Sequence, residues 1–184
     1  MIYLDSNILV SLFIEDVNTG HARSWYLSQS GPFAISRWTV IEFLAVVGLL
    51  KRKAELKPAS ARMTIAAFEA EVDKSLVMLP MDDSTVDLVA SWLRNPDCSV
   101  QTADALHLAI AVKAGAHRIA TFDERFAKTA RKLRLAHLDV QFLPATSPPR
   151  SHARQKSAIY HVSQRESAMV APRAGKRKQR PAAT

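Results

Sequence analysis

Cysteine occurs once in the 184 residues, at Cys98, and glycine only 5 times. A single thiol excludes an internal disulfide and any zinc site built on several cysteines, and it suits a reducing compartment such as the cytoplasm. Cys98 itself reads as a small apolar filler or a loop residue. Neither GxGxxG nor GxxxxGK[ST] occurs, so neither of the familiar glycine-rich phosphate cradles is available. Long apolar runs are missing as well. The N-terminal stretch MIYLDSNILVSLFIED is broken at Asp5, has no basic start, and falls short of the ~20 residues that span a bilayer. It reads as a buried strand running into a helix, not as an export signal or a membrane anchor.

The chain does not lack charge, but its excess is confined to one end. The formal net charge is +8. Lys and Arg at 150, 154, 156, 165, 173, 176, 177, 178 and 180, against the single acid Glu166, account for all of it. Residues 1–146 are electrically balanced, so the basic character is no indication that the folded part is a nucleic-acid surface. Residues 147–184 have no apolar periodicity and cannot bury enough surface to offset their ordering entropy. They read as a mostly disordered basic tail, either simply solvated or an arm that tethers RNA through its phosphates. Residues 1–146 form the one globular domain, with hydrophobic residues at 48% of the whole chain to supply its core.

Within that domain, short apolar runs at 2–5, 33–36, 76–81, 117–122 and 140–143 read as buried strands. Helical patterns lie between them. One runs from Asn18 or Thr19 to about Ser30, and one from a Ser36 cap to about Lys53. A third begins at Pro58 and reaches Lys74, and a fourth is capped by Asp82 or Asp83. A fifth lies between Ser99–Thr102 and Gly115, and a last one follows Asp123. Alternating strands and helices predict an α/β fold with a mainly parallel, covered sheet of four to five strands.

Isolated acids carry the functional information. Asp5 is the only charged side chain from Met1 to Ile14, Glu42 the only one from Trp38 to Leu50, and Asp104 the only formal charge from Cys98 to Val112. Burying a lone carboxylate costs several kcal/mol unless it finds a partner. None of these segments contains a Lys or Arg, and carboxylates brought together repel. A shared divalent cation resolves the conflict, and oxygen ligands without His or Cys favour Mg²⁺ or Mn²⁺. Asp5 closes the first strand and Asp123 follows the strand RIAT, so both belong at the carboxyl ends of strands, where crevices form. Plainer roles exist for three of the four. Asp5 and Asp123 can cap the helices that follow them, and Asp104 suits the first turn of a helix. Glu42, in mid-helix, has no such explanation.

The segments MIYLDSNILV, ISRWTVIEFLAVV, QTADALHLAIA and IATFDERFAKTA resemble the PIN-domain family, and more narrowly its VapC-like toxin ribonucleases. They occur in the family's order and cover residues 1–143. The resemblance implies a three-layer α/β/α sandwich around a parallel sheet and Mg²⁺- or Mn²⁺-dependent endoribonuclease activity. It also implies a homodimer and, in the toxin branch, a small cognate antitoxin protein. It assigns Asp5, Glu42, Asp104 and Asp123 as the acidic quartet. Asn7 (or Ser6), Thr39 and Thr121 fall where a hydroxyl or amide would orient a carboxylate, though local capping explains them too. The tail departs from the family's compact form.

The expected chemistry is hydrolysis of an RNA phosphodiester, with Asp5, Asp104 and Asp123 holding the ion or ions and Glu42 completing the shell directly or through water. Arg37, Lys128, Arg131 and Lys132 would guide the phosphate backbone, unless they merely solvate a helix face. His107, one helical turn after Asp104, is placed where it could approach the crevice, although the plainer reading is a partly buried histidine on the helix. The alternative reading of the whole is a degenerate module of the same fold that binds RNA or a protein without cutting. An aspartyl-phosphate hydrolase would want an acid where Asn7 stands.

Overall fold

The computed structural model describes residues 1–135 and 137–144. The domain limit at 146 and the basic segment 147–184 lie outside the described residues. Along the described chain run β1 (Ile2–Leu4), α1 (Ser6–Phe13), α2 (Thr19–Ser28), β2 (Phe33–Ser36), α3 (Arg37–Arg52), α4 (Pro58–Ser75), β3 (Leu76–Leu79), α5 (Asp83–Leu93), α6 (Thr102–Lys113), β4 (Arg118–Thr121), α7 (Glu124–Lys132) and β5 (Asp139–Phe142). The helix starts follow local chemistry. Ser36 and Thr39 form a reciprocal capping box at α3, and Asp82 and Thr85 form another at α5. Pro58 takes the first turn of α4, where its missing N–H costs nothing. Beyond α6, Gly115 turns the chain at φ 65°, a left-handed conformation that glycine adopts without strain.

The five strands form one sheet in the order β3-β2-β1-β4-β5, and every pair is parallel. Side chains alternate across it as a strand requires. Ile2, Leu4, Ile35 and Ala120 belong to a core shared with Leu9, Phe43 and Phe68 of α1, α3 and α4. Tyr3, Ala34 and Ile119 belong to a second core with Leu108 and Ile110 of α6 and Phe126 of α7. Helices thus cover both faces, and the architecture is the three-layer α/β/α sandwich. The first core is tightened by Phe43 stacked on Phe68, ring centres 4.0 Å apart, with Phe13 edge-on to both.

The structure corrects one expectation about the strands. β3 lies at the sheet edge, and Val77 and Met78 are 43% and 39% exposed, so it is not a buried strand. Among the described residues, no helix is long and apolar enough to cross a membrane. The strand order reverses between β1 and β4, since β2 and β3 extend the sheet one way and β4 and β5 the other. A crevice opens beyond the carboxyl ends of strands at such a point. Asp5 follows β1 there, and Asp123 follows β4.

Candidate functional site

Asp5 stands in the N-cap position of α1, yet its side chain makes no cap bond. It turns into the crevice instead, only 6% exposed. Its Oδ2 accepts from Asn7 Nδ2 and from Thr121 Oγ1, both at 2.6 Å, and Oδ1 accepts from Ser6 Oγ at 3.3 Å. Asn7 Nδ2 also donates to Thr121 Oγ1 at 3.0 Å, while Asn7 Oδ1 accepts from the Phe122 N–H at 3.0 Å. Thr121 Oγ1 further accepts from the Asp123 N–H at 2.9 Å. Two polar side chains therefore staple the end of β1 to the end of β4 and fix the carboxylate between them. The capping explanation for Asp5 does not hold.

For Asp123 it does. Its Oδ1 accepts from the Phe126 N–H at 2.9 Å, so it caps α7, and the residue is exposed at the crevice mouth. Its charge nevertheless reaches Asp104. Asp104, half-buried in the first turn of α6, has its carboxyl pushed up to about 6, by burial first and then by the charges on Asp5 and Asp123. His107 and Arg125 pull the other way without prevailing.

Glu42 enters from α3, half-buried. Its Oε2 lies 2.6 Å from His107 Nε2. Burial works to raise the Glu42 carboxyl, but the His107 bond and charge outweigh it, aided by Ser6, and hold it below its usual value. His107 is 2% exposed; burial opposes its charged form, yet Glu42 and the nearby acids raise its pKa overall. It lies 3.6 Å from Asp5 Oδ1. Its other nitrogen, Nδ1, lies 2.9 Å from the Tyr3 hydroxyl. That hydroxyl is in turn 2.8 Å from Ser36 Oγ and 2.9 Å from Thr39 Oγ1. Two expectations change here. His107 is no bystander on its helix, because it touches one acid and borders another. Thr39 orients no carboxylate directly; it bonds Ser36 and Tyr3, one step behind the site. Tyr3 was not among the expected residues at all.

The donor set suits a divalent cation. One ligand atom from each of Asp5, Glu42 and His107 lies within 4.8 Å of the others, and the charges of Asp104 and Asp123 bear on the same place. The salt bridges that the described residues make to this group come from His107. His107 and Arg125 offset only part of the negative charge, and the Asp104 carboxyl stays raised, by burial first and then by Asp5 and Asp123. The expected phosphate guides are less available. Lys128 pairs with Glu124 at 2.9 Å, and Arg131 donates to the Val140 carbonyl at 2.9 Å. Arg37 and Lys132 are exposed.

A family model for the PIN domain matches residues 2–132. The chain belongs to the PIN-domain family. Nuclease chemistry is therefore the activity class that goes with this fold. Among solved structures, this PIN domain is similar to VapC20 of Mycobacterium tuberculosis, a Sarcin-Ricin loop cleaving toxin. The match has a TM-score of 0.56 at 19% identity and covers 70% of this chain and 94% of that one. It is similar to FitAB bound to an IR36 DNA fragment, with a TM-score of 0.56, 18% identity, and 76% and 94% covered. FitAcB from Neisseria gonorrhoeae matches with a TM-score of 0.53 at 19% identity over 78% of this chain and 98% of that one. Identities this low speak for the fold. A comparison with curated proteins gives no match.

Proposed function

We propose that this PIN domain is a metal-dependent endoribonuclease and the toxin of a toxin–antitoxin pair. The observation that supports the reading is the grouping of Asp5 and Glu42 with His107, with the Asp104 carboxyl nearby pushed up by burial first and then by the charges on Asp5 and Asp123. A bound Mg²⁺ or Mn²⁺ would supply positive charge that acidifies water and steadies the phosphoryl oxygens. The chain's own residues prepare its seat. Asn7 and Thr121 fix Oδ2 of Asp5, and Oδ1, with only the longer Ser6 bond and His107 3.6 Å away, would be the oxygen free to hold an ion. Asp104, its carboxyl at about 6, is mostly ionised at neutral pH and would serve as a further ligand there, whereas below about pH 6 its proton would compete with an ion. Asp123, exposed at the crevice mouth, would add a further oxygen ligand. Glu42 completes the shell directly or through water.

RNA is favoured as substrate because, among the described residues, the domain is the sandwich without a further insertion, and because VapC20, of the same fold, is described as cleaving the Sarcin-Ricin loop. A small antitoxin partner is favoured by the FitAB complex and by the VapBC2 complex from Rickettsia felis, each solved with DNA. A homodimer belongs to the same reading, and exposed Ile41 and Leu44 of α3 with Val77 and Met78 of β3 offer apolar contact surface.

The test is cleavage of total cellular RNA by the purified protein, with ends mapped, in Mn²⁺ and in EDTA. Cleavage is expected only with the ion, and Asp5→Asn or Asp104→Asn is expected to abolish it in a folded protein. Equal cutting in EDTA, or by those variants, refutes the assignment.

A further inference from the structure

Tyr3 and His107 form a buried polar chain that the metal-nuclease chemistry does not itself require. It runs from the Ser36 and Thr39 hydroxyls through the Tyr3 hydroxyl and the His107 ring to Glu42. Each link is within hydrogen-bond distance, and all members except Glu42 are buried. We infer that His107 is a positioning residue of the metal site: it holds Glu42 through Nε2–H, and the Tyr3 hydroxyl fixes the ring that does so. The inference rests on the metal-nuclease reading and extends it.

The arrangement repeats on three elements. Tyr3 on β1 and Asp5, which directly follows the strand with extended backbone, are two apart and so share a face. On α3, Thr39 and Glu42 are three apart, and on α6 so are Asp104 and His107, which places each pair on one helix face. Every one of these elements thus carries one acid of the site and one member of the buried chain beside it. The chain ties β1, α3 and α6 together one layer behind the acids, so a buried hydrogen-bonded framework, ending in the His107–Glu42 pair, fixes where the acids stand against their mutual repulsion. That is what a site of like charges needs before an ion arrives.

Geometry also argues that His107 orients a ligand and is not one itself. A nitrogen 2.6 Å from a carboxylate oxygen carries a proton, since two bare lone pairs at that distance repel. Nδ1 is engaged by Tyr3. The ring is held between Tyr3, at a centre distance of 5.7 Å, and Phe126, at 6.4 Å, so it cannot swing toward an ion without repacking the core. A histidine buried only for packing would satisfy its outer nitrogen on a carbonyl, whereas this one meets a carboxylate at the crevice.

The experiment measures Mn²⁺ affinity of the full chain by electron paramagnetic resonance, alongside melting curves. His107→Leu is expected to weaken Mn²⁺ binding about 10- to 100-fold. His107→Gln keeps an acceptor and a donor near the two ring nitrogens and is expected to restore affinity to within several-fold. In a Glu42→Gln background, His107→Leu should have no further effect, because its influence passes through Glu42. The bound Mn²⁺ should show no directly coordinated imidazole nitrogen in its hyperfine spectrum. Unchanged affinity in His107→Leu overturns the inference, as does an undiminished effect in the Glu42→Gln background or a nitrogen-coupled spectrum. Should His107→Leu fail to fold, Tyr3→Phe decides by itself. It removes one hydroxyl, and a several-fold loss of affinity supports the role while no change overturns it. Asp5→Asn separates the two levels. If it retains full Mn²⁺ affinity, the metal site itself is wrong; if it abolishes binding while His107→Leu does not, only the positioning role fails.

Discussion

Replacing Asp104 with Asn removes a charge but almost no volume, and it should stabilise the metal-free protein while ruining the site. The Asp104 carboxyl lies at about 6 against an ordinary 3.8, raised by burial and by Asp5 and Asp123. A shift of about two units at ~1.4 kcal/mol each sets a ceiling of about 3 kcal/mol. Asp104 is only half-buried, so solvent screening reduces the expected effect to about 1 kcal/mol. The sign follows from linkage. With the folded value above the unfolded one, the folded state prefers the protonated acid. That preference contributes stability in full below about pH 4, and the contribution is lost as pH rises through about 6. Asn stays neutral throughout and loses nothing.

In EDTA at pH 8 the Asn variant should therefore melt about 2–4 °C above the wild type, and the gap should close toward pH 4. Urea denaturation followed by circular dichroism at both pH values measures the difference directly. In Mn²⁺ the order should reverse, because the wild type gains ~2.7 kcal/mol at an ion concentration one hundred times its Kd. A variant no more stable than wild type at pH 8 in EDTA would refute the like-charge cluster. So would a gap of the same size at pH 4 and pH 8, since a pH-independent effect cannot come from titration of this acid.

The same proton makes ion binding pH-dependent: Mn²⁺ affinity should be level above about pH 6 and fall by up to about tenfold per unit below it, and a flat calorimetric profile from pH 5 to 8 contradicts this. Thr121→Val removes the hydroxyl that donates to Asp5 Oδ2 and accepts from the Asp123 N–H. It should cost about 1–3 kcal/mol in urea denaturation and weaken Mn²⁺ binding, and an unchanged midpoint would show that the staple between β1 and β4 carries no energy. Phe43→Ala empties one side of the stack with Phe68 and should cost about 3–5 kcal/mol, read from the same denaturation curves; a loss below 1 kcal/mol would mean that this core collapses around the gap.

What could be read in advance was local. A lone acid in an apolar run is visible as such, and Glu42 in mid-helix was the plainest case. Strand runs and caps were also local: FAIS is bounded by Gly31-Pro32 and by Ser36, which caps α3, and β2 is Phe33–Ser36. Strand order was not local. LVMLPM is as apolar as the central strands, and only the sheet topology makes β3 an edge with Val77 and Met78 exposed. Asp5 and Asp123 present the same ambiguity and resolve it oppositely. Each directly precedes a helix, where a cap and a strand-end ligand occupy one position. Asp5 is drawn off its cap by Thr121, more than a hundred positions away, whereas Asp123 finds no such donor and caps.

The role of His107 was not legible for a related reason. A histidine among Ala, Leu and Ile on a helix has the same neighbours in sequence whether it satisfies the core or serves a site. Its role is decided by which groups meet its two nitrogens, and both come from other elements, Tyr3 from β1 and Glu42 from α3. Yet the spacing that places it was present all along. Tyr3–Asp5, Thr39–Glu42 and Asp104–His107 are each a polar residue beside an isolated acid at the interval its element requires. A single such pair has several plain explanations. Three of them, on elements that the sheet's switch point must bring together, describe a site whose acids are held in place by a buried hydrogen-bonded framework. Like charges left to arrange themselves would relax by spreading to solvent, so the framework is what keeps the crevice acidic enough to bind an ion.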